Sequence, residues 1–280
     1  YKPRAVISNR KKGNWMSRQR AEDKLTRKEQ DYERGQKMLT KDFSSDRAVM
    51  EEVFDRSTLM VIYEFMNKGI IDEIHGVVKA GKESRVYWGK DKEGKELAIK
   101  IYLVVSSEFR KGLLKYIEGD PRFQGVRHDT RSLIFAWAQK EFKNLELATR
   151  AKVRVPKPIA VKNNVLIMEF IGENGEGAPS FKEKTPKNPA KVYETLMTYL
   201  ERLYRKAELV HGDLSEYNIM TWRGRTVLFD VSQAVPLVHP MASYLLRRDL
   251  TNINKYFSRL GVKVPSVEES YKRVTGRGEG

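Results

Sequence analysis

The chain has 280 residues, of which 40% are hydrophobic and 10% aromatic, so it can bury a core and is not generally disordered. Its 53 Lys and Arg residues outnumber its 37 Asp and Glu residues, which gives a net charge of +16. This charge favours binding to a polyanion such as nucleic acid, and the alternative is a lysine-rich surface that only faces solvent. The absence of Cys excludes disulfides, thiolate zinc sites and cysteine nucleophiles. Because the sequence also shows no secretory signal and no apolar segment long enough to span a membrane, we expect a cytoplasmic protein.

The N-terminal 45 residues predict a mobile basic arm. Residues 1–20 contain seven Lys or Arg residues and no acidic residue, and proline and glycine interrupt any regular structure there. Two helices are predicted after the arm, over Asp46–Phe54 and Ser57–Asn67, with Ser57 as the cap of the second.

Short segments rich in β-branched and aromatic residues come next and predict antiparallel strands. These strands are Ile74–Val78, Arg85–Gly89, Glu96–Tyr102, Pro158–Lys162 and Val165–Glu169. Between the third and fourth strands, the glycine-containing segment 110–129 predicts a flexible insert, and Arg131–Arg150 has the apolar spacing of a helix.

The second half of the chain predicts a linker and a mainly helical region. The predicted elements are the linker Gly172–Pro189, helix Ala190–Lys206, a polar loop after Leu209–Val210, the buried strand Thr226–Asp230, helix Tyr244–Leu260 and a frayed tail over 266–280. This order predicts an α+β, bilobal fold of the protein-kinase type, with residues 46–171 as N-terminal helices and first lobe and 172–265 as second lobe.

Lys100 is a candidate phosphate-binding residue. It lies inside the apolar segment Leu97–Tyr102, where an uncompensated ammonium group is costly, and the pattern matches the lysine strand of kinases. The alternative is a lysine on an edge strand facing solvent. Either Glu141 or Glu146 on the predicted helix could pair with Lys100. Glu141 is preferred because Trp137 and Leu145, four residues to either side, place Glu141 beside the buried face of the helix.

The segment His211–Asn218 carries the strongest chemical signal. Its aspartate, Asp213, precedes Asn218 by five residues, which is the spacing in the kinase catalytic loop. Asp213 can accept the proton of an acceptor hydroxyl, and the amide oxygen of Asn218 can bind Mg²⁺. Asp230 follows the apolar segment Val227–Phe229 and is the expected principal Mg²⁺ ligand, since a carboxylate there needs a cation. The alternative is a turn capped by Asp and Asn.

Two further segments are candidates for nucleotide contacts. The loop Ala80–Val86 lies where a glycine-rich phosphate loop belongs, and Lys82, Ser84 and backbone N–H groups there could cover phosphates, although an ordinary hairpin explains a single glycine equally well. The segment Met168–Ile171 ends the fifth strand, where backbone groups could bind the edge of adenine.

These motifs together resemble the RIO family of atypical serine/threonine protein kinases, in its first, archetypal branch, and suggest an archaeal source. The resemblance rests on His211–Asn218, on Asp230 in Phe-Asp-Val-Ser-Gln-Ala-Val, on Ala-Gly-Lys-Glu-Ser, and on the segments 239–242 and 246–254. It extends from about Ser44 to Gly261.

The resemblance implies a specific fold and chemistry. We expect a reduced helical second lobe without an activation loop or peptide-docking subdomains. ATP with Mg²⁺, or Mn²⁺ in its place, is the expected cofactor, with Lys100, Asp213 and Asp230 catalytic and Asn218 and Asp230 on the metal. The expected cofactor-binding residues are Lys100, Glu141, Val78, Lys82, Ser84, Val86, Met168, Glu169 and Ile171.

The same resemblance implies a role in maturation of the small ribosomal subunit, with its precursor and ribosomal RNA as partners, autophosphorylation on serine, and largely ATPase turnover by a monomer. Two alternatives stay open at this point. One is a small-molecule kinase of the aminoglycoside or choline type, against which the short, basic second half argues. The other is a nucleotide-gated RNA-binding assembly factor without turnover, which the complete set of kinase residues disfavours.

Overall fold

The computed structural model describes residues 54–103 and 113–276, and the chain divides into two compact units, residues 1–68 and 69–280. Helix α1 (Arg56–Asn67) is the described element of the first unit. Asp55 caps it by accepting a hydrogen bond from the Thr58 N–H at 2.9 Å, so the cap lies two residues before the predicted Ser57. The predicted arm and nearly all of the preceding predicted helix lie outside the described residues.

The second unit begins with a five-stranded antiparallel sheet. Its strands are β1 (Glu73–Ala80), β2 (Ser84–Lys90), β3 (Glu96–Tyr102), β4 (Pro158–Lys162) and β5 (Val165–Glu169), in the order β1-β2-β3-β5-β4. These are the five predicted strands, and the sequence prediction is confirmed to within two residues at every end. Strand β3 lies at the centre of the sheet and is buried from Leu97 to Tyr102, so Lys100 is placed inside the protein.

Helix α2 (Thr130–Arg150) follows β3 in the chain and packs on the sheet. Asp129 caps it through the Ser132 N–H at 2.9 Å, and Trp137 and Ala138 on its inner face are fully buried. In the described part of the predicted insert, residues 113–117 are helical and Pro121–Phe123 forms a 3₁₀ turn.

A small hairpin interrupts the predicted linker. Strands β6 (Gly172–Glu173) and β7 (Glu176–Gly177) pair with each other. A Cβ atom at Gly172 would lie 2.1 Å from the Glu176 carbonyl oxygen, so only glycine fits there. The Gly175 N–H donates to Glu96 at 3.2 Å, which fastens the hairpin to the sheet.

The rest of the unit is mainly helical, as predicted. It contains α3 (Pro189–Ala207), β8 (Leu209–Val210), β9 (Ile219–Trp222), β10 (Arg225–Leu228), β11 (Val235–Pro236), α4 (Ala242–Arg259) and α5 (Val267–Thr275). Strand β9 lies where the sequence predicts a polar loop, and the predicted strand Thr226–Asp230 ends at Leu228, so Asp230 lies beyond it. The cause is the tight turn at Arg223 and Gly224, both at positive φ, which sets the register of the β9–β10 hairpin.

The C-terminal segment forms a helix, so the prediction of a frayed tail from residue 266 is wrong for this helix. Ser266 and Glu269 form a capping box that starts helix α5, and Arg205 donates to the Val274 carbonyl at 2.9 Å. Val274 is fully buried. The Ser-x-x-Glu signature of this box was present in the sequence. No helix within the described ranges is long and apolar enough to cross a membrane.

Candidate active site

A cavity of about 380 Å³ lies between the sheet and the segment that follows β10. Its lining includes every residue that the sequence analysis assigned to cofactor binding, namely Val78, Lys82, Ser84, Val86, Lys100, Glu141, Met168, Glu169 and Ile171. Asp230 also lines it, whereas Asp213 and Asn218 are not among the lining residues.

Lys100 joins two carboxylates at the base of the cavity. Its Nζ atom lies 2.9 Å from Glu141 Oε1 and 3.0 Å from Asp230 Oδ1. Burial alone would lower the pKa of the Lys100 ammonium, but the charges of Asp230 and Glu141 outweigh burial and hold that pKa well above its usual value. Lys100 is therefore a permanent cation at the cavity wall.

Glu141 is held on both oxygens. Lys100 donates to Oε1, and the Tyr102 hydroxyl donates to Oε2. The competing candidate, Glu146, lies on the outer face of α2 beside Lys143 at 3.1 Å. Sequence reasoning missed Tyr102, although it lies two residues after Lys100 and so shares its face of β3.

Asp230 has an uncommon backbone. Its φ of 56° and ψ of 63° are left-handed, a conformation that costs free energy for a residue with a Cβ atom. Removal from bulk water would raise the pKa of the Asp230 carboxyl, but Lys100 and the Ser232 hydroxyl, 2.8 Å from Oδ1, hold it well below its usual value. The side chain keeps 39% exposure, so the anion can be reached from the cavity.

Helix α2 also holds the turn that follows Asp230. Lys140 Nζ donates to the Ser232 carbonyl at 2.8 Å, and Asn144 Nδ2 donates to the Val231 carbonyl at 2.8 Å. Both side chains are buried, and burial, aided by the charge of Arg122, lowers the pKa of Lys140 to about 7. Sequence reasoning missed both residues. The only signal was the presence of polar side chains, four residues apart, on the buried side of a helix.

The loop 211–218 is anchored to helix α4. The Asp249 carboxylate is fully buried and accepts hydrogen bonds from the Gly212 N–H at 2.8 Å and the Leu214 N–H at 2.9 Å. Gly212 has a φ of 76°, and a Cβ atom there would lie 2.9 Å from the Gln233 carbonyl oxygen. Asp249 therefore fixes the backbone on both sides of Asp213.

Within this loop, Asn218 and Asp213 are hydrogen-bonded. Asn218 Nδ2 donates to the Asp213 carbonyl at 2.8 Å and to Asp213 Oδ2 at 3.3 Å. Burial raises the pKa of the Asp213 carboxyl, and the negative charge of Asp230 raises it further. Asp213 is therefore a stronger base than an ordinary surface aspartate.

Oxygen donors suitable for a divalent cation come together here. The Asn218 amide nitrogen is engaged with Asp213, which leaves its amide oxygen to bind a metal, and the Phe229 N–H donates to the Asn218 carbonyl at 3.1 Å beside Asp230. Amide and carboxylate oxygens are the ligands that Mg²⁺ prefers. In the part of the chain that the structure describes, no cluster of three or more His, Asp or Glu residues could hold a metal.

The end of β5 also lines the cavity. Glu169 makes a bidentate ion pair with Arg154, at 2.7 and 2.8 Å, and accepts the Lys157 N–H at 3.1 Å. The Ile171 carbonyl accepts from the Ala178 N–H at 2.8 Å. These contacts fix the segment 169–171, whose remaining backbone groups border the cavity.

Sequence comparison relates the chain to known proteins. The model of the RIO domain matches residues 85–270. The chain is 42% identical to the RIO-type serine/threonine-protein kinase Rio1 of Haloferax volcanii, over 89% of this chain and 84% of that protein. It is 37% identical to human serine/threonine-protein kinase RIO1 over 82% of this chain, but it spans only 41% of that longer protein.

The fold is that of a solved kinase. The crystal structure of the Rio2 kinase–ADP/Mg²⁺–phosphoaspartate complex from Chaetomium thermophilum superposes with a TM-score of 0.59 and 21% identity, over 78% of this chain and 66% of that one. This likeness confirms the predicted kinase-like α+β fold. With the RIO domain covering most of the second unit, and with archaeal and eukaryotic Rio1 proteins alike over more than four fifths of its length, the chain belongs to the RIO family of atypical serine/threonine protein kinases.

Proposed function

We propose that the protein binds ATP with Mg²⁺ in this cavity and transfers the γ-phosphoryl group to itself, to a protein serine or threonine, or to water. The observation that carries this proposal is the Lys100 ammonium held between Glu141 and Asp230 at the cavity wall, next to the Asp213–Asn218 loop. Phosphoryl transfer depends mainly on positioning and on neutralising charge, and these groups supply both.

Each side chain has a role in this proposal. Lys100 binds the α- and β-phosphates, and Asn218 and Asp230 hold Mg²⁺, or Mn²⁺ in its place. Lys82 and Ser84 cover the phosphates from the β1–β2 loop. Adenine stacks between apolar side chains that include Val78, Val86 and Met168, and it bonds to backbone groups at Glu169 and Ile171. The metal neutralises phosphate charge when it is bound.

Single-turnover hydrolysis of γ-labelled ATP, measured with and without small-subunit precursor RNA and protein, tests the reaction. We expect hydrolysis with Mg²⁺ and labelling of the protein. Nucleotide binding without any hydrolysis would instead support an assembly factor without turnover. Phosphorylation of an aminoglycoside or choline in place of protein would support a small-molecule kinase.

Two routes for the phosphoryl group remain in the proposal. In the covalent route, an Asp230 carboxylate oxygen attacks the γ-phosphorus, the bond to the β–γ bridging oxygen breaks, ADP leaves, and water later hydrolyses the acyl phosphate. In the other route, Asp213 orients a water or a hydroxyl for direct attack, and Asp230 only holds the metal. The exposed Asp230 carboxylate supports the first, and the raised pKa of Asp213 supports the second.

Hydroxylamine distinguishes these routes. If the covalent route operates, protein trapped after reaction with γ-labelled ATP loses its label in neutral hydroxylamine, because acyl phosphates react and phosphoserine does not. We expect this labile label to be absent in Asp230→Asn. Asp213→Asn serves as the control, since it keeps the Asp230 carboxylate. If all of the label resists hydroxylamine and maps to serine, the covalent route is refuted and Asp230 acts only as a metal ligand.

We further propose that the protein acts in the cytoplasm, as a monomer, on the precursor of the small ribosomal subunit and contacts its RNA. The support is the net charge of +16 together with membership of the RIO family. Each phosphate that a cation neutralises releases counterions and steepens the salt dependence of binding.

The basic arm provides a test of RNA contact, although it lies outside the described residues. Deletion of residues 1–20, which carry seven Lys or Arg residues, should weaken binding to small-subunit RNA and flatten its dependence on salt, because fewer counterions are released. Filter binding at several salt concentrations measures both effects. A variant with these cations changed to Gln keeps the length of the arm and should match the deletion. Equal slopes for all three proteins would remove the arm from the RNA site.

A further inference from the structure

Lys79 is a third lysine in the cavity, besides Lys82 and Lys100. It lies near the end of β1, one residue before the strand ends at Ala80. Its Nζ atom is 4.8 Å from the centroid of the Phe229 ring, and Phe229 directly precedes Asp230. The side chain therefore reaches from the sheet to the segment that carries the proposed metal ligand.

The charge of Lys79 is not neutralised by a close partner. Lys100 has two carboxylates within hydrogen-bond distance, whereas Lys79 forms no ion pair within residues 54–103 and 113–276. The positive charge of Lys79 nevertheless lowers the pKa of nearby carboxyl groups. After the larger effects of Lys100 and Ser232, Lys79 further lowers the pKa of Asp230. An unpaired ammonium at the mouth of a nucleotide cavity is suited to bind a phosphate oxygen.

The Phe229 ring positions the ammonium without forming an ion pair with it. A cation over an aromatic face is attracted by the ring quadrupole, which positions the group without cancelling its charge. A carboxylate in the same place would neutralise the lysine and compete with the phosphate. The contact thus holds a full positive charge beside Asp230, where the terminal phosphate of a nucleoside triphosphate has to approach if Asp230 and Asn218 hold its metal.

We propose that Lys79 binds the terminal phosphate of the bound nucleoside triphosphate and so distinguishes the triphosphate from the diphosphate. The proposal rests on the proposed function, because it places ATP in this cavity. Lys100 is assigned to the α- and β-phosphates, which ATP and ADP share. Lys79, next to Asp230, binds the γ-phosphate, which ATP carries and ADP lacks.

The chain offers a matched control in Lys90. This residue ends β2, and its ammonium lies 5.2 Å from the centroid of the Trp88 ring, so it makes the same kind of cation–aromatic contact. It differs in two respects that the proposal depends on. Lys90 pairs with Glu73 at 3.7 Å, and it does not line the cavity.

Equilibrium binding of a non-hydrolysable ATP analogue and of ADP, each with Mg²⁺, tests the proposal. We expect Lys79→Ala to weaken binding of the analogue about tenfold, the order of one charge-assisted contact, and to change ADP binding less than about twofold. Lys79→Arg should keep most of the affinity for the analogue. Lys90→Ala should bind both nucleotides like the wild type, and all variants should melt at nearly the same temperature.

Two results would overturn the inference while leaving the proposed function in place. One is an unchanged affinity for the analogue in Lys79→Ala. The other is an equal loss for the analogue and for ADP, since that would mean a general change of the cavity. Failure of the wild type to bind either nucleotide would instead refute the proposed function, and the inference with it.

Discussion

Replacement of Lys100 by alanine is expected to lower the rate of ATP turnover by about a hundredfold to a thousandfold, since loss of one preorganised charge-stabilising donor costs on the order of 10²–10³ in rate. Lys100 is 5% exposed and contacts Glu141 and Asp230 at 2.9 and 3.0 Å. Its loss removes the proposed phosphate contact and also leaves two neighbouring carboxylates without their shared cation. Single-turnover hydrolysis of γ-labelled ATP measures the effect.

The same substitution should destabilise the fold. Glu141 is 1% exposed, and removal of one partner from a buried ion pair costs about 3–5 kcal/mol. A second substitution separates stability from catalysis. In Lys100→Met combined with Glu141→Gln, no charge of that pair stays buried, so most of the stability should return while turnover stays low. Turnover at the wild-type rate in Lys100→Ala would refute the assigned role of the lysine.

Replacement of Asp249 by asparagine is expected to lower turnover at least about tenfold without touching the cavity. Both carboxylate oxygens accept backbone N–H groups, from Gly212 and from Leu214. An amide has only one acceptor oxygen, so its NH₂ group must face one of these N–H donors, and the loop that carries Asp213 loses half of its anchor. Affinity for nucleotide should change much less than the rate, because Lys100 and the sheet are unaffected.

The stability of this variant should depend on pH in a defined direction. Burial raises the pKa of Asp249 to about 7, compared with about 3.9 in an unfolded chain. The stability linked to this proton is complete below pH 3.9 and is lost as the pH rises toward 7. The asparagine variant does not titrate, so its unfolding free energy should improve relative to the wild type by about 3–4 kcal/mol between pH 4 and pH 7.

Denaturant unfolding at several pH values measures this difference. Glu268→Gln is the control, since it makes the same chemical change in an exposed pair with Arg247 and should give parallel curves. A constant difference between wild type and Asp249→Asn across this range would show that Asp249 does not keep its proton in the fold. A rate like that of the wild type would show that its two hydrogen bonds do not position Asp213.

The parts of the site that depend on local pattern could be predicted from the sequence. The position of Lys100 follows from an apolar strand of six residues, and the place of Glu141 follows from its apolar neighbours on a helix. The loop 211–218 could be predicted because the spacing of Asp213 and Asn218 equals that of the kinase catalytic loop. These features need no knowledge of distant residues.

The missed features depend on distant contacts. The left-handed backbone of Asp230 is maintained by the helix that carries Lys140 and Asn144, about 90 residues earlier in the chain. The sequence predicts a frayed tail in place of the C-terminal helix because nine residues are marginal alone, whereas in the structure this helix is stabilised by Arg205 on another helix. Such partners lie far away in the sequence, so local patterns of residues do not reveal them.

The attachment of the turn after Asp230 to helix α2 has a consequence for control of the enzyme. Glu141, Lys140 and Asn144 lie within two turns of one helix, and they hold Lys100 and the carbonyls of Val231 and Ser232. A swing of that helix would therefore displace the lysine's partner and the metal-side aspartate together, at the cost of several buried hydrogen bonds. Because movement of the helix has this cost, the geometry favours a helix that keeps its position, and it favours regulation through the molecules that enter and leave the cavity.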